Sequence, residues 1–165
     1  MAHYPMGTQH THAYVATHDE LTGLPNRRCI DELALALGLD EKSDLVVVLI
    51  ALNGIEADDT SSIRRDDVLK TLAHGVRGCA RSDDVVARLS PNQLVLMLTP
   101  RIGGDEEARL LERLRAAIAE PLSHLQNVSA CVGVARCPED GTALEALLAA
   151  AERRMRTKNQ RDPTR

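Results

Sequence analysis

Aromatic residues are almost absent: the 165 residues include two Tyr, no Phe and no Trp. A core built on ring anchors is excluded, and burial must come from Leu, Val, Ile and Ala. Such a core has well-defined rotamers but few large contacts, so modest stability is expected. No apolar run reaches the roughly 20 residues of a membrane span, and no secretory leader is visible at the start. A surplus of positive charge is missing too. The formal net charge is -4, which argues against a general nucleic-acid binder. The four cysteines, Cys29, Cys79, Cys131 and Cys137, form no CxxC pair, and no His/Cys group has zinc spacing. They read as reduced, mostly buried thiols of a cytoplasmic protein with no resident metal or cofactor. His10 and His12 stand close together, but in a polar leader.

What is present is a globular composition: 44% apolar and 27% charged residues in a length that suits one domain. Residues 1–14 read as the leader, 15–161 as a single domain and 162–165 as a tail. The segment His18-Asp19-Glu20-Leu21-Thr22-Gly23-Leu24-Pro25-Asn26-Arg27-Arg28 is a structured loop, punctuated by Gly23, Pro25 and Asn26. Asn26 is placed to cap a helix on which Ile30, Leu33, Ala34 and Leu37 recur at helical spacing, with Gly38 to end it.

Asp44 to Leu52 is dense in β-branched residues and predicts a buried strand. Residues 53–62 are polar and irregular. Val68, Leu69, Leu72, Ala73 and Val76 predict an amphipathic helix from Ile63 to Cys79. Asp84–Leu89 and Leu94–Thr99 flank Ser90-Pro91-Asn92-Gln93, a type I turn by composition, and predict a β-hairpin. A helix over 105–119, a strand from Asn127 to Ala135, a turn at Pro138–Gly141 and a helix from Thr142 to Lys158 complete the chain. This order predicts an α+β domain whose mixed, mainly antiparallel sheet is flanked by helices.

Three segments carry a resemblance. HDELTGLPNRR (18–28), the Asp83–Leu89 strand and VGVARCPEDGTALEALLAAAERRM (132–155) are similar, in register, to the GGDEF domains of diguanylate cyclases. The resemblance covers residues 16–160 and implies a nucleotide-cyclase-like fold. In that family two facing subunits each hold a GTP with divalent metal, and carboxylates bind the metal. The literal string Gly103-Gly104-Asp105-Glu106-Glu107 precedes a helical segment, not a strand, and its chemistry is that of a helix start. The family motif aligns instead with Ser90-Pro91-Asn92-Gln93-Leu94. On that alignment the metal carboxylates become Ala51 and Asn92, the neighbouring acid becomes Gln93, and the two glycines become Ser90 and Pro91. Pro91 adds a ring and removes an N–H donor where phosphate would lie. The resemblance thus implies a catalytically inactive member.

The family's product-binding site has the form Arg-x-x-Asp, five residues before the motif. Arg81-Ser82-Asp83-Asp84 has that spacing, which makes Arg81 and Asp84 the candidate ligands for cyclic di-GMP. Arg suits guanine O6 and N7, and a carboxylate suits the guanine N1–H and amino group. The plainer reading is a surface ion pair at a helix end. Asp66 aligns with a guanine-reading Asp, and Lys158 or Arg161 with a phosphate contact; solvated surface charge is the alternative for each. Three functions follow: a cyclic di-GMP receptor, a nucleotide-independent regulatory module with a protein partner, and an active cyclase that would need Gly103–Glu107 at a hairpin tip. A homodimer is compatible with all three.

Overall fold

The computed structural model describes residues 16–55, 62–99 and 103–161, without the side chains of residues 62–64 and 158–161. The expected leader and tail, and the middle of the polar stretch after the first strand, lie outside the described residues.

The opening loop closes on itself. Asp19 accepts from the Thr22 backbone N–H (2.8 Å) and hydroxyl (2.6 Å), and Gly23 takes the left-handed conformation its turn requires (φ 70). Asn26 then caps α1 (Arg27–Leu37) by accepting from Cys29 N–H at 3.1 Å, and Gly38 ends it at φ 57.

The first strand, β1 (Leu45–Asn53), explains its own continuous apolar run. Val46, Val48 and Ile50 point into one core layer, against helices α2 (Ser62–Cys79) and α3 (Gly104–Leu122). Leu45, Val47 and Leu49 point into the other, against α1 and α4 (Leu144–Arg161). A strand covered on both faces must be apolar at every position. Each fully buried Leu or Ile contributes about 1.5–3 kcal/mol of transfer free energy, which is how a core without rings holds together.

The hairpin strands are β2 (Val85–Ser90) and β3 (Gln93–Leu98), and the last strand is β4 (Ser129–Cys137). The sheet order is β2-β3-β1-β4 and every ladder is antiparallel. The expected mixed character reduces to one parallel bridge between Asn26 and Arg88.

Most boundaries shift by one to three residues from the sequence expectation, with β4 running on to Cys137 and α4 to Arg161, and three of the shifts have a visible cause. α3 runs past residue 119 through Pro121, because Ile118 and Leu122 continue its buried stripe. β4 starts two residues later than expected, since Asn127 adopts a left-handed turn (φ 62) against Gly54. α4 begins at Leu144 instead of Thr142, with the Ala143 carbonyl as its first acceptor. The thiols also differ: all four are free, but only Cys137 is buried, and the other three are half-buried.

Candidate functional site

The hairpin brings several of the motif-aligned positions together. Ala51 pairs in register with Gln93, and Leu52 N–H donates to the Asn92 carbonyl at 2.8 Å. Neither Pro91 nor Asn92 has a positive φ, which fits the expected type I turn. The turn is held by Arg88, whose Nη2 donates to the Pro91 carbonyl at 3.1 Å while Nη1 donates to both Asp19 oxygens at 3.0 Å. Burial would raise the Asp19 carboxyl, but hydrogen bonds from Thr22 and Arg88 outweigh it and hold Asp19 below the usual carboxylate range. Asp19, Arg27, Arg28, Arg88, Ser90 and Pro91 share a shallow pocket of about 360 Å³.

Gly103–Glu107 lies elsewhere. Gly103 is the N-cap of α3, and Asp105, Glu106 and Glu107 occupy its first turn, where carboxylates meet the positive end of the helix dipole. Glu107 is buried and paired with Arg136.

The Arg81–Asp84 pair is more than surface charge. Asp84 is 3% exposed. Its carboxylate accepts from the Arg81 backbone N–H at 2.7 Å and from the Arg81 guanidinium at 3.2 and 3.3 Å, while its carbonyl accepts from Arg77 at 3.1 Å. The Asp84 hydrogen bonds push the Arg81 pKa up from its ordinary value, so the guanidinium is held charged and oriented. The side chain of Arg81 remains 41% exposed.

This exposed face opens into a cavity of about 720 Å³. Arg81 and Asp84 form one wall; the first turn of α3, with Asp105 and Glu106, forms another; and Arg109 and Arg113 complete it. Arg113 also donates to the Cys79 carbonyl at 3.1 Å, which ties it to the end of α2. Sequence reasoning missed Arg109 and Arg113. Their i, i+4 spacing on a helix puts them on one face, but nothing in the sequence showed that this face turns toward Arg81. Asp66 is a half-buried residue of α2 and lines neither pocket. Lys158 and Arg161 belong to α4, and their side chains lie outside the described residues.

An antiparallel sheet between two layers of helices, with a hairpin tip beside its central strand, defines an α+β domain of the nucleotide-cyclase-like type. A family model described as diguanylate cyclase, GGDEF domain, matches residues 16–164, and the chain belongs to that family. It is 32% identical over 149 residues to the bifunctional diguanylate cyclase/cyclic di-GMP phosphodiesterase MucR of Pseudomonas aeruginosa, covering 86% of this chain and 22% of that protein. Among solved structures, it is similar to the GGDEF domain of TpbB from Pseudomonas aeruginosa, with a TM-score of 0.73 and 27% identity over 88% of this chain and 90% of that one. The GGDEF domain of DgcB from Caulobacter crescentus, determined in complex with c-di-GMP, shares the fold at a TM-score of 0.72 and 19% identity, covering 88% and 91%. The chain spans 22% of MucR and 35% of diguanylate cyclase TpbB. Among the described residues no helix is long and apolar enough to cross a membrane.

Proposed function

We propose that this GGDEF domain is catalytically inactive and acts in the cytoplasm as a receptor for cyclic di-GMP. The observation that carries this reading is the 720 Å³ cavity in which Arg81, oriented by a buried carboxylate, converges with Arg109 and Arg113. An oriented guanidinium fork matches guanine O6 and N7, and further guanidiniums match the phosphates of a cyclic dinucleotide. Preorganisation by Asp84 lowers the ordering cost that binding would otherwise carry. The DgcB domain, which has this fold, was crystallised with that ligand.

Inactivity rests on the residues around the hairpin. A divalent metal at the aligned site needs carboxylate oxygens, and the residues present do not fit it. Ala51 has no ligand atom, Ser90, Asn92 and Gln93 are neutral, and Pro91 lacks an N–H. Asp19 shares a pocket with Ser90 and Pro91, but its oxygens are taken by Thr22 and Arg88. The receptor reading needs no facing subunit.

One observation favours the nucleotide-independent alternative: Asp105 and Glu106 line the same cavity and offset part of its positive charge. Calorimetric titration with cyclic di-GMP separates the two readings. Saturable micromolar binding that disappears in Arg81→Ala supports the receptor, whereas silence, or binding indifferent to Arg81→Ala, contradicts it.

A further inference from the structure

β4 forms one border of the sheet, with β1 on its inner side. Its outer side is guarded over only part of its length. Asp140 satisfies both backbone groups of Arg136, accepting from its N–H at 2.8 Å and donating to its carbonyl at 2.7 Å. Arg154 donates to the Val134 carbonyl at 2.5 Å and to both oxygens of Asp140 at 2.6 Å. Because antiparallel strands alternate the direction of their backbone groups, the N–H and C=O of Ala130 and Val132 face the same way as those of Val134 and Arg136. No partner for these groups occurs among the described residues. An unpaired edge is a template for another strand.

A groove of about 400 Å³ runs along this edge between α3 and α4, with Leu111, Arg115, Val132, Val134, Arg136 and Arg154 in its walls. No carboxylate lines it. Arg136 and Arg154 have ion-pair partners outside the groove, Glu107 and Asp140. Arg115 is exposed and has no ion-pair partner among the described residues. This charge selects the occupant. A second copy pairing antiparallel through Val132 would bring a second uncompensated Arg115 to the same edge with no carboxylate in the groove to meet it, so self-association is opposed. An extended segment with acidic residues meets the arginines and lays apolar side chains against Leu111 and Val132.

We infer that the open half of the β4 edge is a docking site for a protein partner that adds an extended strand of alternating apolar and acidic residues. The backbone groups of Ala130 and Val132 supply the ladder, and Arg115 supplies the preference for acid. The Asp140–Arg154 clasp limits the added strand to the part of β4 before Val134.

The test uses the full chain and a short capped peptide alternating Val and Glu, followed through backbone amide chemical shifts. Saturable shifts centred on Ala130 and Val132 are expected. Val132→Pro removes an outward N–H that the β1 ladder does not use, and it should abolish them. Arg115→Glu lies on an exposed helix face, so it tests the site even if the proline variant fails to fold; binding should weaken roughly tenfold at low salt. The inference is overturned by an absence of saturable shifts, by shifts mapping elsewhere, by equal binding of the peptide with Lys in place of Glu, or by dimerisation of the chain through this edge.

Discussion

Replacing Asp84 by Asn should lower stability and loosen Arg81 at the same time. Each recorded partner of the Asp84 carboxylate is a donor: the Arg81 backbone N–H and two guanidinium nitrogens. An amide of the same shape presents one acceptor and one donor, so in either orientation an N–H faces another N–H. Orphaning a buried donor costs about 1–3 kcal/mol. The lost ion pair adds at most about 1 kcal/mol, because the Arg81 side chain is 41% exposed and screened by water. The sum is about 1–4 kcal/mol. For a chain of 165 residues, unfolding entropy converts this to a fall in Tm of about 3–12 °C. Thermal unfolding by circular dichroism reads this directly. Arg81→Ala should lose the ligand contact outright, and because it leaves the buried Asp84 carboxylate with the residue-81 backbone N–H but no countercharge, its Tm should fall as well. A Tm for Asp84→Asn within about 1 °C of the parent would refute the argument that the buried carboxylate anchors the cavity wall.

Asp140 is held below the usual carboxylate range chiefly by its hydrogen bond from Arg154. A depressed folded-state pKa gives stability that is present above the unfolded value, about 3.9, and is lost as pH falls through the folded one. Asp140→Asn should therefore be less stable than the parent at pH 7, and the gap should close in urea titrations carried out below pH 4. A gap that persists unchanged at low pH would count against the clasp. Gly133 is where α4 rests on β4: an added Cβ would sit 2.0 Å from the Ala151 carbonyl oxygen and 2.8 Å from Met155 Cγ. Gly133→Ala should cost about 1–3 kcal/mol in chemical denaturation, and a neutral result would mean the helix moves away easily.

The sequence was most informative where one physical signal dominated. The capped start and glycine end of α1, the two-faced apolar run of β1 and the polar turn between β2 and β3 all follow from local chemistry. The start of α3 just after Gly103 was legible for the same reason, since acids before an apolar stripe suit a helix N-terminus. Boundaries failed where tertiary contact decided them. Asn127 turns because Gly54 lies against it, and α3 continues through Pro121 because Leu122 has a core position to fill. For the candidate site, the resemblance to the family singled out Arg81 and Asp84, but burial of Asp84 depends on the fold. Arg109 and Arg113 joined them only through the packing of α3 beside the end of α2. The guard formed by Asp140 and Arg154 was invisible for the same reason: one residue lies in a turn and the other on a helix, and they meet over the edge of β4.

The central claim is that this GGDEF domain keeps a dinucleotide cavity without a catalytic centre. Incubating the purified chain with GTP and magnesium, and separating the nucleotides by chromatography, tests it most directly. The account predicts that GTP is recovered unchanged. Time-dependent formation of cyclic di-GMP would contradict it and would require a metal site that Ala51 and Asn92 do not provide.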